Sequence, residues 1–248
     1  MNKRLTMSNI KPKTESVREM FNDIAPTYDK LNHILSLSID KIWRNKVVRT
    51  VRRLGAKHIL DIATGTGDLA IAMARKIEGS TICGVDLSPQ MLEVAKRKVA
   101  ARGLDNRISL MEGNAEKLNL ESQSVDAVTI AFGIRNFENK EKCLVELHRV
   151  INNGGNLVIL EFSNPTNKLI ARLYRIYSHK ILPWVGGLIS KNRSAYEYLP
   201  SSVDGFPNPD NFMQIISQAG FSKVSRRSLS FGIAQIYTCR KPLTTKKE

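Results

Sequence analysis

The chain has 248 residues, 42% of them apolar, and 38 Lys and Arg against 23 Asp and Glu give it a formal net charge of +15. That length suits a single α/β domain with elaborations, and the apolar share is enough for a large core. Three scattered cysteines (Cys83, Cys143, Cys239) exclude a disulfide framework and point to a reducing, cytoplasmic setting, and the absence of any run of about 18 apolar residues excludes a membrane-spanning helix.

Residues 1–14 are basic and polar with no apolar core, so they read as a flexible tail rather than a signal peptide. Residues 15–53 are helical in pieces, interrupted by Pro26 and stopped by Gly55. The period then changes. "HILDIAT" (58–64) is a short apolar strand, "GDLAIAMARKI" (67–77) a helix and "TICGVD" (81–86) a second strand. A helix over 88–103 carries its own signals: Ser88 as N-cap, Pro89 at the first turn, Gly103 past the end. Further strands are expected at 108–114, 125–132 and 156–163, with a helix at 141–151. A capped helix (208–220) and two alternating strands meeting around Gly232 close the chain as an antiparallel pair. Apolar strands alternating with helices imply a Rossmann-like, doubly wound, mostly parallel sheet covered on both faces.

The stretch "ILDIATGTGDLA" (59–70) places Asp61, Gly65, Gly67 and Asp68 at the first strand-to-helix turn, where such sheets bind ligands. Two readings compete there. Gly65-x-Gly67-x-x-Ala70 with Asp86 fits a dinucleotide site; the same elements fit S-adenosylmethionine. Asp61 and Asp68 favour the second, since two carboxylates repel a pyrophosphate and attract a sulfonium and an ammonium group. Asp86, at a strand tip, is suited to accept hydrogen bonds from both ribose hydroxyls. Asn114 and Ala115 follow the third strand, where an adenine edge would lie, although Asn114 equally suits an Asx turn. The histidines (33, 58, 148, 179) form no ligand pair, so no metal is expected. The positive charge calls for a polyanion, either nucleic acid or an anionic membrane surface, and no RNP, KH, zinc-finger or helix-turn-helix pattern occurs.

Five segments carry a more specific likeness: "FNDIAPTYDKLNHILSLSIDKIW" (21–43), "DIATGTGD" (61–68), "FGIRNFENKEKCL" (132–144), "RVINNGGNLVILEFS" (149–163) and "YEYLPSSVDGFP" (196–207). From about Val17 to Pro242 the chain resembles the quinone-biosynthesis C-methyltransferases, which act on demethylmenaquinol and, in some bacteria, on a ubiquinol precursor. The resemblance implies one class I methyltransferase domain over 1–248, with seven strands and a reversed last one. It also implies cofactor contacts at Thr66, Asp86, Asn114 and Ala115. The chain departs from the family pattern at Leu31 (usually Met), Asp40 (usually His) and Asn152-Asn153 (usually Lys-Pro). At Ala131 some members have a cofactor-contacting Ser, so that contact is not carried over.

Methyl transfer to a ring carbon needs alignment and loss of the neighbouring hydroxyl proton. Arg135 and Asn136 follow the fourth strand, where substrate would meet the methyl group. Arg135 suits a forming phenolate but also a structural pair with Glu161; it is no base. Tyr28, Asp29 and His33 belong to the helical region 15–53, read as a lid, and His33 is the residue suited to proton transfer. Tyr196 and Tyr198 either line the ring pocket or pack in the core. The segment 167–193, within a helical insertion at 165–205, spaces Leu169, Leu173, Ile176, Tyr177 and Ile181 helically among basic residues and ends near Trp184. That pattern suits a membrane interface. The resemblance implies an isoprenoid quinol as partner, and the basic amphipathic segment an anionic membrane surface, without nucleic acid; a homo-oligomer is compatible with the sequence. A Rossmann oxidoreductase and an RNA methyltransferase are the rivals, the latter weakened by the absence of N-P-P-Y.

Overall fold

Seven strands form one sheet: β1 (His58–Ile62), β2 (Thr81–Asp86), β3 (Ile108–Glu112), β4 (Val125–Ala131), β5 (Ile151–Phe162), β6 (Ser222–Leu229) and β7 (Ala234–Arg240). Their order is β3-β2-β1-β4-β5-β7-β6, and only β7 runs against its neighbours, as the alternating C-terminal pair predicts. The computed structural model describes the backbone of residues 13–181 and 193–243, and their side chains except at positions 35, 181 and 193–197. The helices are α1 (Lys13–Ile24), α2 (Tyr28–Leu35), α3 (Ile39–Arg53), α4 (Asp68–Lys76), α5 (Pro89–Ala100), α6 (Lys140–Val150), α7 (Lys168–Ile176), α8 (Arg193–Asp204) and α9 (Pro209–Gln218).

β1 is apolar on both sides because both sides are covered. Successive side chains of a strand point to opposite faces. Ile59 packs with Val47 and Val51 of α3 and with Met73 and Ala74 of α4. Leu60 and Ile62 pack on the other face with Leu144 and Leu147 of α6 and Phe212 and Ile216 of α9. The same alternation puts Asp61 on the face of Ile59, directly across from Thr129 of β4. The strand order reverses between β1 and β4, so their carboxyl ends open a crevice for a ligand.

Three elements differ from the sequence expectation. β5 begins at Ile151 rather than near Asn156: Val125 pairs with Ile151 and Ala127 with Asn156, so a bulge takes up the extra residues. The amphipathic run after β5 is not one helix, since α7 passes at Tyr177 into a π-helical turn (Tyr177–Ile181). Lys13 and Thr14, read as tail, begin α1; residues 1–12, Trp184 and the side chains of Ile181 and Tyr196 lie outside the described residues.

Candidate active site

At the end of β1 the chain turns through Ala63 (φ 52°) and Gly65 (φ 57°), and Gly67 (φ 79°) leads into α4. Asp86, on the tip of β2, fastens this turn. Its Oδ2 accepts from the Gly65 amide at 2.7 Å and its Oδ1 from the Ser88 amide at 2.9 Å. Burial raises its pKa, and the backbone N–H groups oppose that rise. Ser88 caps α5 through the Met91 amide, as its sequence position predicts. A cleft of about 800 Å³, counting its open side, lies over these strand tips. Its wall includes Gly65, Asp86, Asn114, Ala115 and Asn136, and α1 roofs it with Phe21. Arg18 and Asn22 of α1 reach the strand-end loops, bonding Glu112 at 2.8 Å and the Ser88 hydroxyl at 2.6 Å.

Four residues expected at the cofactor do not face this cleft. Asp61, 1% exposed, accepts from the hydroxyls of Thr64 (2.7 Å) and Thr129 (2.6 Å), and burial lifts its pKa to about 6. It holds the turn from beneath, on the α3 and α4 side. Thr66 is 3% exposed and gives its hydroxyl to Asp29 of α2. A β-carbon built on Gly67 would come 3.3 Å from that of Ala95 of α5. Asp68 meets Lys98 at 2.6 Å and Arg44 at 3.8 Å, so its charge is compensated. The acidic character of the cleft wall comes from other groups. Among the described residues the cleft wall carries Asp86, Glu116 and Glu138 against Arg18, which is itself paired with Glu112.

The cleft fits S-adenosylmethionine. A β-carbon built on Gly65 would meet nothing within 4 Å, which makes this stretch of backbone a bare cradle on the cleft wall. Asp86 offers a carboxylate already oriented by two amides. Asn114 does form the Asx turn, accepting from the Glu116 amide at 2.9 Å, and it still lines the cleft.

A second cavity, about 1460 Å³ with its open side, lies beyond a shared wall of Phe21, Tyr28 and Phe132. It is largely apolar. Trp43, Phe132 and Phe162 form an aromatic cluster with ring centroids 4.5–6.0 Å apart. Arg135 and Asn136 sit on one 3₁₀ turn (Ile134–Asn136) after β4, so neighbouring residues serve different spaces: Asn136 lines the cleft and Arg135 the larger cavity. Arg135 is 6% exposed, and its guanidinium binds Glu161 at 2.8 Å, the Phe132 carbonyl and Ser202. The pair with Glu161 and the place in the cavity wall thus coexist. The Tyr198 hydroxyl donates to Asn136 Oδ1 at 3.2 Å.

His33 is not brought to either space. Its Nδ1 lies 2.9 Å from Asp40 and its Nε2 3.6 Å from Asp68, which ties it behind the cavity wall. Tyr28 does face both spaces, and burial raises its pKa. The sequence reading missed Trp43, Phe162 and Tyr174 of the larger cavity. They come from three distant elements, and nothing local marks them.

Residues 8–241 match the profile of the ubiE/COQ5 methyltransferase family. The chain belongs to the ubiE/COQ5 methyltransferase family. It is 46% identical over 223 residues to the demethylmenaquinone methyltransferase of Thermus thermophilus, covering 90% of this chain and 100% of that one. Its identity to the demethylmenaquinone methyltransferase of Bacteroides fragilis is 42%, covering 94% and 96%. With the ubiquinone/menaquinone biosynthesis C-methyltransferase UbiE of Geotalea daltonii it shares 43%, covering 95% and 100%. Among solved structures, the [4+2]-cyclase SpnF has the same fold (TM-score 0.71, 16% identity, 94% of this chain and 98% of that one). So does a Haemonchus contortus phosphoethanolamine N-methyltransferase solved with S-adenosylmethionine (TM-score 0.58, 18% identity, 80% and 52%). As a member of the ubiE/COQ5 family, the protein is an S-adenosylmethionine-dependent methyltransferase of quinone biosynthesis.

Proposed function

We propose that the protein methylates a ring carbon of demethylmenaquinol to give menaquinol. The observation that carries this reading is the paired spaces: a small acidic cleft and a large apolar cavity meet across Phe21, Tyr28 and Phe132. When bound, S-adenosylmethionine supplies an electrophilic methyl group. Asp86 would hold it, with Asn114 and the Gly65 backbone. Arg135 would stabilise the phenolate left when the ring hydroxyl gives its proton to solvent at the open side of the cavity, which makes the adjacent carbon nucleophilic; its guanidinium stays charged and takes no proton. Phe132 and Tyr28 hold the ring between the spaces and exclude water, which strengthens these charge interactions. The name of the Geotalea daltonii relative favours a second reading, methylation of a ubiquinol precursor as well. Incubation with labelled S-adenosylmethionine and either reduced demethylmenaquinone or the demethylated benzoquinol separates the two. Label on the naphthoquinol ring is expected; its absence would overturn the first reading.

We also propose peripheral contact with an anionic membrane, where a polyprenyl substrate resides. α7 and the π-helical turn that follows it set Tyr174 and Tyr177 in the wall of the large cavity, and α7 leaves Leu169, Leu173 and Ile176 exposed beside Lys168, Arg172 and Arg175. Leu37, in the cavity wall, is 81% exposed, and so nearly is Phe231 (80%), next to the wall residue Ser230. No helix among the described residues is long and apolar enough to cross a membrane. Co-sedimentation with phosphatidylglycerol vesicles should occur at low salt and fade as salt rises. Lack of binding at low salt would remove this contact.

A further inference from the structure

In the wall of the large cavity, charged side chains occur at two places among the described residues: Arg135 after β4, and Asp40 with Arg44 on the first turns of α3. Asp40 is 3% exposed. Its carboxylate accepts from Ser36 Oγ at 2.6 Å, from Arg44, and faces His33 Nδ1 at 2.9 Å. Burial alone would raise its pKa, but Ser36, Arg44 and His33 outweigh that and leave it below the usual carboxylate value. It therefore stays ionised in an apolar setting. A carboxylate has roughly four acceptor positions, and these partners use three. Arg44 reaches Asp68 at 3.8 Å and lies over the Phe132 ring at 5.7 Å. Arg135 lies over the Phe162 ring at 5.4 Å, and the two rings are 4.5 Å apart. Both charged places thus back onto one aromatic pair.

A hydroquinone brings two oxygens, on opposite ring carbons, into this cavity, and burying either without a partner is costly. Arg135 serves the oxygen beside the methylated carbon. We infer that Asp40 and Arg44 hold the other oxygen, Asp40 accepting a hydrogen bond from its hydroxyl and Arg44 donating one to it, so that this pair selects 1,4-dihydroxy rings over monohydroxy ones. The inference rests on the quinol reading above. A site built to bond a hydroxyl rejects an analogue lacking it, because its own polar groups are then left without partners.

The test compares kcat/KM for reduced demethylmenaquinone with that for the prenylated naphthol lacking the distal hydroxyl, in wild type, Asp40→Asn and Arg44→Met. The analogue's slower intrinsic chemistry is common to all three proteins and cancels in the ratio. Losing a hydrogen bond to a charged group predicts about a 10- to 100-fold fall on the quinol for each variant, with a far smaller change on the naphthol. Binding of S-adenosylmethionine by calorimetry checks that each variant is folded, and either one alone suffices for the comparison. Equal losses on both substrates would overturn the subsite. Failure of the wild type to methylate the quinol would instead sink the substrate reading, and the subsite with it.

Discussion

The two halves of the site are held by different means. On the sheet side, Asp86 and Gly65 are fixed by strand register and by backbone amides 2.7–2.9 Å away. On the helical side, α2 and α3 are tied by side-chain charges: Lys98 Nζ bridges Asp29 (2.5 Å) and Asp68 (2.6 Å), while Asp40 joins His33 and Arg44. Backbone geometry comes with the fold. Charge pairs across elements are chosen residue by residue, and can be changed without altering the sheet. The same fold occurs in a [4+2]-cyclase, so the fold by itself does not fix the chemistry.

Arg135 lies where the halves meet, and removing it should have the largest effect. Arg135→Met strands Glu161, 0% exposed, and should cost about 3–5 kcal/mol in urea denaturation. Adding Glu161→Gln should recover much of that stability and none of the methyl transfer; recovered activity would show Arg135 to be structural alone. On the sheet side, Asp86→Ala removes the carboxylate proposed to accept from both ribose hydroxyls and should weaken S-adenosylmethionine binding by at least about 100-fold in calorimetry, at roughly 1.5–3 kcal/mol for each charged hydrogen bond. Unchanged affinity would refute the assignment of the cleft.

Asp61 gives a pH test. Its pKa is raised from the ordinary carboxylate value to about 6, so its contribution to stability is complete below pH ~4 and is lost as pH rises through 6. Asp40 and Asp68, with lowered values, act in the opposite sense and lose stability as pH falls. Asp61→Asn should therefore abolish a loss of about 2–3 kcal/mol between pH 4 and 6, read as the difference from wild type. A parallel pair of curves would contradict it. Gly133→Ala should cost about 1–3 kcal/mol by crowding. Its new β-carbon would come 2.5 Å from that of Ala63.

What the sequence made legible was local. The Ser88 cap, the glycine turn and Asp86 at a strand tip all follow from neighbours within a few residues. Asp61 was misplaced by charge alone, although alternation along β1 sets it on the face of Ile59, away from the cleft. The ties of Thr66 to Asp29 and of Lys98 to Asp29 and Asp68 span 30 to 69 positions of the chain, and no local pattern records them. Trp43, Phe132 and Phe162 come from α3, the end of β4 and the end of β5, so the aromatic wall exists only after folding.

The contact between residues 63 and 133 sets a rule for change. The loops after β1 and β4 mesh so tightly that only one of the two positions has room for a methyl group. Ala63 also bears a left-handed backbone (φ 52°), which glycine would hold at lower cost. Moving the methyl across, as Ala63→Gly with Gly133→Ala, should be better tolerated than Gly133→Ala alone. The positions thus behave as one compound site, free to drift only in step.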